Sequence, residues 1–126
     1  MKLLIVGLNH KTASVEVREK LAFDGPRLES GLLGFKALPE IAEALVLSTC
    51  NRVEIYTNVK DVPNASGAIK TFISGFHNLE ARLLDDALYF HEDEDAVKHT
   101  FRVASSLDSM VVGEPQILGQ LKDAFE

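Results

Sequence analysis

The sequence is short of several things that define function classes. It has one cysteine, Cys50, in 126 residues, which excludes an internal disulfide and any multi-cysteine metal centre. It has no apolar run near the ~20 residues that a membrane-spanning helix needs. Its start, Met1-Lys2-Leu3-Leu4-Ile5-Val6-Gly7-Leu8, is too short for a signal peptide and runs straight into polar sequence. No Gly-x-Gly-x-x-Gly follows a strand-like segment, so no dinucleotide fingerprint is present. Positive charge is also scarce: 13 Lys and Arg face 19 Asp and Glu, for a net charge of −6. That balance opposes strong nucleic-acid binding by these residues alone. These features lead us to expect a protein that is cytoplasmic, with no membrane and no metal.

The composition, 46% hydrophobic and 25% charged, is that of an ordinary globular chain of one domain. Charge is uneven along it. Residues 1–60 carry a net +1 and residues 61–126 a net −7, so a polyanion is expected to approach the first half.

Hydrophobic patterning gives an order of elements. Lys2–His10 reads as a strand ending in a turn, and Val17 and Leu21 place a helix from Ser14 to the stop Asp24-Gly25-Pro26. Residues 27–38 read as a helix weakened by Gly31 and Gly34. Ala44–Ser48 and Val53–Asn58 read as strands, with the polar turn Thr49-Cys50-Asn51-Arg52 between them. A helix over Asn64–Leu79 follows, then a short strand at Leu88-Tyr89-Phe90. The acids of His91-Glu92-Asp93-Glu94-Asp95 suit a helix start rather than an oxygen-ligand metal loop. A last amphipathic helix, Ile117–Glu126, begins after Pro115 and has no stop signal, so the natural chain is expected to continue. This order predicts an α+β fold: a ferredoxin-like β-α-β-β-α-β antiparallel sheet with helices on one face, plus a C-terminal helical extension.

Three segments hold more polar functional groups than folding requires: Gly7–Ala13, Leu47–Glu54 and His99–Gln120. Ser48-Thr49-Cys50-Asn51-Arg52-Val53-Glu54-Ile55-Tyr56 and Gly113-Glu114-Pro115-Gln116-Ile117-Leu118-Gly119-Gln120 together carry a resemblance to the glutamyl-tRNA reductases. The resemblance covers nearly the whole chain, as the N-terminal catalytic domain of that family. It implies reduction of glutamyl-tRNA(Glu) with NADPH to glutamate-1-semialdehyde, the first step of 5-aminolevulinate and tetrapyrrole synthesis by the C5 route. It further implies Cys50 as a thioester-forming nucleophile and His99 as a histidine important for activity. Thr49, Asn51, Arg52, Ser109, Glu114, Pro115, Gln116 and Gln120 fall on positions that contact the glutamyl substrate. An NADPH-binding Rossmann domain and a dimerisation domain are implied beyond residue 126. So are a homodimer and channelling of product to the glutamate-1-semialdehyde aminomutase. Two residues depart from the family pattern: Ser106 stands where Gly is expected and Ser14 where Pro is commoner.

Each residue also has a plainer reading. Cys50 could be a small buried hydrophobe, although its polar turn suits a thiolate attacking an activated ester. Arg52 offers a fork that fits a carboxylate, or else a surface ion pair, for instance with Glu54. His99 could be a packed helical histidine, and Glu114 could serve the start of the next helix. His10 and Lys11 suit solvated positions. Two other functions compete: a small cysteine hydrolase with His10, His77, His91 or His99 as base, and a non-catalytic RNA-binding module. The acidic balance and the lack of an aromatic-rich sheet motif weigh against the latter.

Overall fold

The structure, a computed structural model, describes residues 1–23 and 25–104. The elements run β1 (Lys2–Asn9), α1 (Val15–Leu21), α2 (Pro26–Ala37), β2 (Ile41–Ser48), β3 (Arg52–Val59), α3 (Val62–His77), α4 (Ala81–Ala87), β4 (Tyr89–Glu92) and α5 (Asp93–Ala104). The strands form one sheet in the order β2-β3-β1-β4, and every neighbouring pair is antiparallel. The helix expected over Ile117–Glu126 lies outside the described residues.

Local sequence explains the boundaries. The hydroxyl of Ser14 accepts from the Val17 amide at 3.3 Å and caps α1. The residue that departs from the family's commoner Pro therefore supplies a start signal of its own. Gly25, at φ 55°, turns the chain into α2, which opens on Pro26. Asp61 caps α3, and Asn78 ends it in the left-handed conformation. One element was not legible: α4 buries only Leu84 and Ala87 in its two turns, too few positions to display a helical period.

Alternation along the strands sorts residues onto two faces. On the first, Leu4, Val6 and Leu8 of β1 and Val53, Ile55 and Val59 of β3 pack with Leu21, Phe35, Ala65, Ile69, Ile73 and Leu84 from α1 to α4. On the second, Ile5, Leu47 and Tyr56 pack with Ala96 and Val103 of α5. The expectation of helices on one face holds for the helices between the strands and is corrected for α5, which follows β4. Helices α1–α4 share a face, whereas α5 lies across the other. The reason lies in β1 and β3, whose second-face residues Ile5, Tyr56, Glu54 and Arg52 are all buried and need a cover of their own.

The glycines of α2 are contact points. A Cβ on Gly31 would stand 2.5 Å from the Phe23 ring, and one on Gly34 would meet Phe72. Gly67, in α3, has nothing within 4 Å of such an atom. Alanine improves helix propensity by about 1 kcal/mol at each site. We expect Gly67→Ala to stabilise the protein by about 0.5–1 kcal/mol and Gly31→Ala to destabilise it by about 1–3 kcal/mol through overpacking. Urea unfolding midpoints of the two variants check the opposite signs.

Candidate functional site

The turn between β2 and β3 projects from one end of the sheet. The Thr49 amide donates to the Arg52 carbonyl at 2.8 Å, closing the turn. The Thr49 hydroxyl accepts from the amides of Asn51 and Arg52, both at 3.2 Å. These bonds fix the backbone around Cys50, whose side chain is exposed. Cys50 lines a cleft with Val15, Arg18, Glu19, Ala22, Ser48, Thr49 and Asn51. A buried structural thiol is thus excluded.

The residues next in line turn inward. Arg52, Glu54 and Tyr56 alternate onto the second face of β3, beneath α5, and Arg52 and Glu54 are both 0% exposed. Gly7 on β1 is the partner of both Glu54 and Tyr89 in the register. Its missing side chain leaves room for them: a Cβ there would lie 2.8 Å from the Glu54 side chain and 3.1 Å from the Tyr89 hydroxyl. His99 reaches the same point from α5 and is 1% exposed.

The Glu54 carboxylate is the hub. Oε1 accepts from the Tyr56 hydroxyl at 2.8 Å, and Oε2 accepts from the Tyr89 hydroxyl at 2.5 Å and from His99 Nε2. Arg52 Nη1 stands 3.6 Å from Oε2, a looser approach than a hydrogen-bonded fork. The surface ion pair considered for Arg52 is therefore a real pairing in the wrong setting, since both partners are fully buried. Burial pushes the Glu54 pKa up, but the His99 bond and charge, the Tyr89 bond and the Arg52 charge outweigh it and hold it below the usual carboxylate value. Burial, then the charge of Glu54, raises the pKa of Tyr56 and Tyr89, so both remain proton donors.

This fixes which ring nitrogen of His99 donates to the carboxylate. A carboxylate only accepts, so His99 carries a proton on Nε2. Its Nδ1 is buried and has no hydrogen-bond partner among the described residues. The His91 ring stacks on His99 at 4.4 Å between centroids. Burial and then the charge of His99 lower the His91 pKa, so His91 favours its neutral form.

The structure brings Arg52 and His99 together through Glu54, while the cleft at Cys50 is lined by neither of them. Thr49 acts through the turn and Asn51 is buried within it. Ser109, Glu114, Pro115, Gln116, Gln120 and Ser106 lie outside the described residues. The sequence reading missed Glu54, Tyr56 and Tyr89 as site residues and weighed His91 only as a base in the competing hydrolase reading. A signal existed, because Arg52, Glu54 and Tyr56 share one face of an alternating strand. Of the remaining polar candidates, Asn9 is buried and its side chain accepts from the Lys11 amide at 2.9 Å, while Lys11 itself is exposed.

The carboxylate's depressed pKa gives a stability test with a definite sign. Its contribution is complete above the unfolded value of 4.5 and is lost as pH falls through the lower folded value. We expect Glu54→Gln to cost about 1–3 kcal/mol near neutral pH, as a buried charge-assisted network loses its acceptor. The difference from the parent should shrink below pH ~4.5. Denaturant titrations of both proteins at pH 7 and pH 3.5 measure it, and an equal gap at the two values would oppose an ionised Glu54.

Comparison with known proteins identifies the family. The family model of the glutamyl-tRNA(Glu) reductase N-terminal domain matches residues 6–126. The glutamyl-tRNA reductase of Citrifermentans bemidjiense is 54% identical over 125 residues, and that of Geobacter metallireducens is 51% identical over the same length. Each match covers 99% of this chain and 29% of the relative, so the chain spans less than a third of the length of these curated relatives. Among solved structures, the glutamyl-tRNA reductase from Methanopyrus kandleri superposes with a TM-score of 0.68 at 32% identity. That match covers 98% of this chain and 27% of the other. The chain belongs to the glutamyl-tRNA reductase family and corresponds to its N-terminal domain.

Proposed function

We propose that this domain accepts the glutamyl group of glutamyl-tRNA(Glu) on Cys50, as the catalytic domain of a reductase that forms glutamate-1-semialdehyde for tetrapyrrole synthesis. The observation that carries this reading is the Cys50 turn itself: an exposed thiol on a backbone held by the Thr49 hydroxyl, opening onto a cleft. An aminoacyl ester is already activated, and a thiolate attacks it readily near neutral pH. The sulfur bonds to the ester carbonyl carbon, and the carbon–oxygen bond to the terminal ribose breaks. The ribose oxygen leaves with a proton and a glutamyl thioester remains.

The buried cluster supports the step from behind the turn. The family resemblance assigns Arg52, directly after the Cys50-Asn51 pair, to the glutamyl side-chain carboxylate, whereas here its guanidinium is buried toward Glu54 and does not line the cleft. His99, with Nε2 committed to Glu54, is fixed in place within this cluster. Ser109, Glu114, Pro115, Gln116 and Gln120 complete the substrate contacts in this reading.

NADPH does not fit the described residues. Strand β1 leads through an Asn9–Ala13 turn into a serine-capped helix, with no glycine-rich phosphate cradle. We therefore assign NADPH to a Rossmann domain beyond residue 126, together with the dimerisation domain, the homodimer and channelling to the aminomutase. The ferredoxin-like assignment rests on the strand order. No helix among the described residues is long and apolar enough to cross a membrane. A cytoplasmic enzyme accords with the free thiol.

The test uses the full-length enzyme with glutamyl-tRNA and no NADPH. Mass spectrometry should find a glutamyl adduct on the Cys50 peptide. With NADPH added, Cys50→Ser should lower turnover by more than ~10³-fold, because a hydroxyl at its free pKa is a poor nucleophile. Far-ultraviolet circular dichroism should stay unchanged. Turnover by the serine variant at the parent rate would remove Cys50 from the chemistry.

A further inference from the structure

Two long-range ties hold the Cys50 turn to the α1 side of the domain. The Phe23 amide donates to the Ser48 hydroxyl at 3.0 Å, just ahead of the turn. The second tie reaches the nucleophile's own residue. Arg18, 32 positions away in sequence, donates from Nε to the Cys50 carbonyl at 3.4 Å. The same guanidinium donates from Nη1 to the Ala13 carbonyl at 2.8 Å. One planar fork therefore links the loop after β1 to the turn after β2, and its stem forms part of the cleft wall beside Cys50.

The anchor behind this fork is firm. Helix α1 is capped by Ser14 and buries Leu21 in the first-face core, with Ala13 buried beside it. The turn itself is closed by bonds within residues 49–52, which set its shape. Those internal bonds leave open how the turn is aimed relative to the cleft. A carbonyl held from outside the turn supplies that information. Arginine suits the task because its rigid fork serves two acceptors at once, whereas an ammonium is a point donor on a flexible stem.

We infer that Arg18 is a positioning residue for the acyl-transfer step, aiming Cys50 into the cleft by holding its carbonyl. The inference rests on the reading of Cys50 as the nucleophile. An attacking atom must lie about 3–3.5 Å from its carbonyl carbon, and a displacement of about 1 Å costs on the order of 10²-fold in rate. Loss of the tie should therefore act on the rate of acylation rather than on substrate affinity.

The experiment uses the full-length enzyme and has two readouts. The first is amide hydrogen exchange in Arg18→Met, which keeps most of the apolar stem and loses the fork. Exchange at the Asn51 and Arg52 amides should rise about tenfold, the equivalent of one hydrogen bond. The β1 amides should keep their protection, which separates a loosened turn from a loosened fold. The second readout is single-turnover acylation by glutamyl-tRNA. Its maximal rate should fall about 10–100-fold, with the half-saturating concentration changed by less than about twofold. Arg18→Lys should fall between Arg18→Met and the parent. A raised half-saturating concentration with an intact rate would overturn the inference and make Arg18 a substrate-binding group. Unchanged exchange at residues 51 and 52 would overturn it as well. Persistent turnover by Cys50→Ser would sink the nucleophile assignment and the catalytic half of this inference with it. The exchange measurement would still decide whether Arg18 holds the turn.

Discussion

A fully buried carboxylate inside a β-sheet is the constraint around which the second face is arranged. Glu54 has no exposure to solvent, and an isolated ionised carboxylate in such a place is too costly to persist. It persists here because donors converge from three elements: Tyr56 from its own strand, Tyr89 from the edge strand and His99 from α5. Arg52 balances the charge at 3.6 Å. Each donor needs its element in a particular place. The carboxylate thus fixes the register of β4 against β1 and the seating of α5 more narrowly than the apolar contacts of Ile5, Ala96 and Val103 could. Gly7 is part of the same arrangement, since any larger residue would occupy the volume in which Glu54 and Tyr89 meet.

The two faces consequently do different work. The first is an apolar core of four helices against the sheet, and it carries stability through area removed from water. The second is smaller and polar at one end, where precise hydrogen bonding decides whether it closes at all. The Cys50 turn sits at the end of β2 and β3, where both faces terminate. Rigid strands enter and leave it, the cleft along α1 opens on one side, and the Arg52–Glu54–His99 cluster lies behind β3 on the other.

Much of this was readable from residue order, and the rest was not for identifiable reasons. The strands were legible because alternation in Val53–Asn58 and the buried run of Leu3–Val6 are strong signals. The turn at Thr49–Arg52 was legible because four polar residues interrupt two strands. Helix α4 was not, having only Leu84 and Ala87 to mark it. The placement of α5 was missed for a different reason. Its buried residues, Ala96, His99 and Val103, follow a helical spacing that says one side is covered but not by which face of which sheet. Glu54 was weighed only as a surface partner of Arg52, because a Glu two residues from an Arg on an alternating strand commonly faces water. Burial of the whole row depends on α5 arriving from far along the chain, and spacing within β3 cannot report it.

Exposure and rigidity usually oppose one another, and the Cys50 turn has to combine them. On the proposed reading Cys50 is a nucleophile, which must be reachable and so cannot sit in the core, yet must be held as closely as a core residue to aim at a carbonyl carbon. The chain resolves this by leaving the thiol exposed and committing the surrounding backbone instead. Thr49 holds two amides and closes the turn, and Arg18 takes the Cys50 carbonyl. Asn51 and Arg52 are drawn inward, so the residues directly after the thiol are buried. Cys50 is thereby the exposed residue of the turn, with Thr49 and Asn51 lining the cleft beside it. The buried cluster contributes to the same end from beneath, because Arg52 is both a turn residue and a partner of Glu54. The carboxylate that seats α5 therefore also tethers the final residue of the Cys50 turn, and a fully buried carboxylate and an exposed thiol are linked through a single arginine.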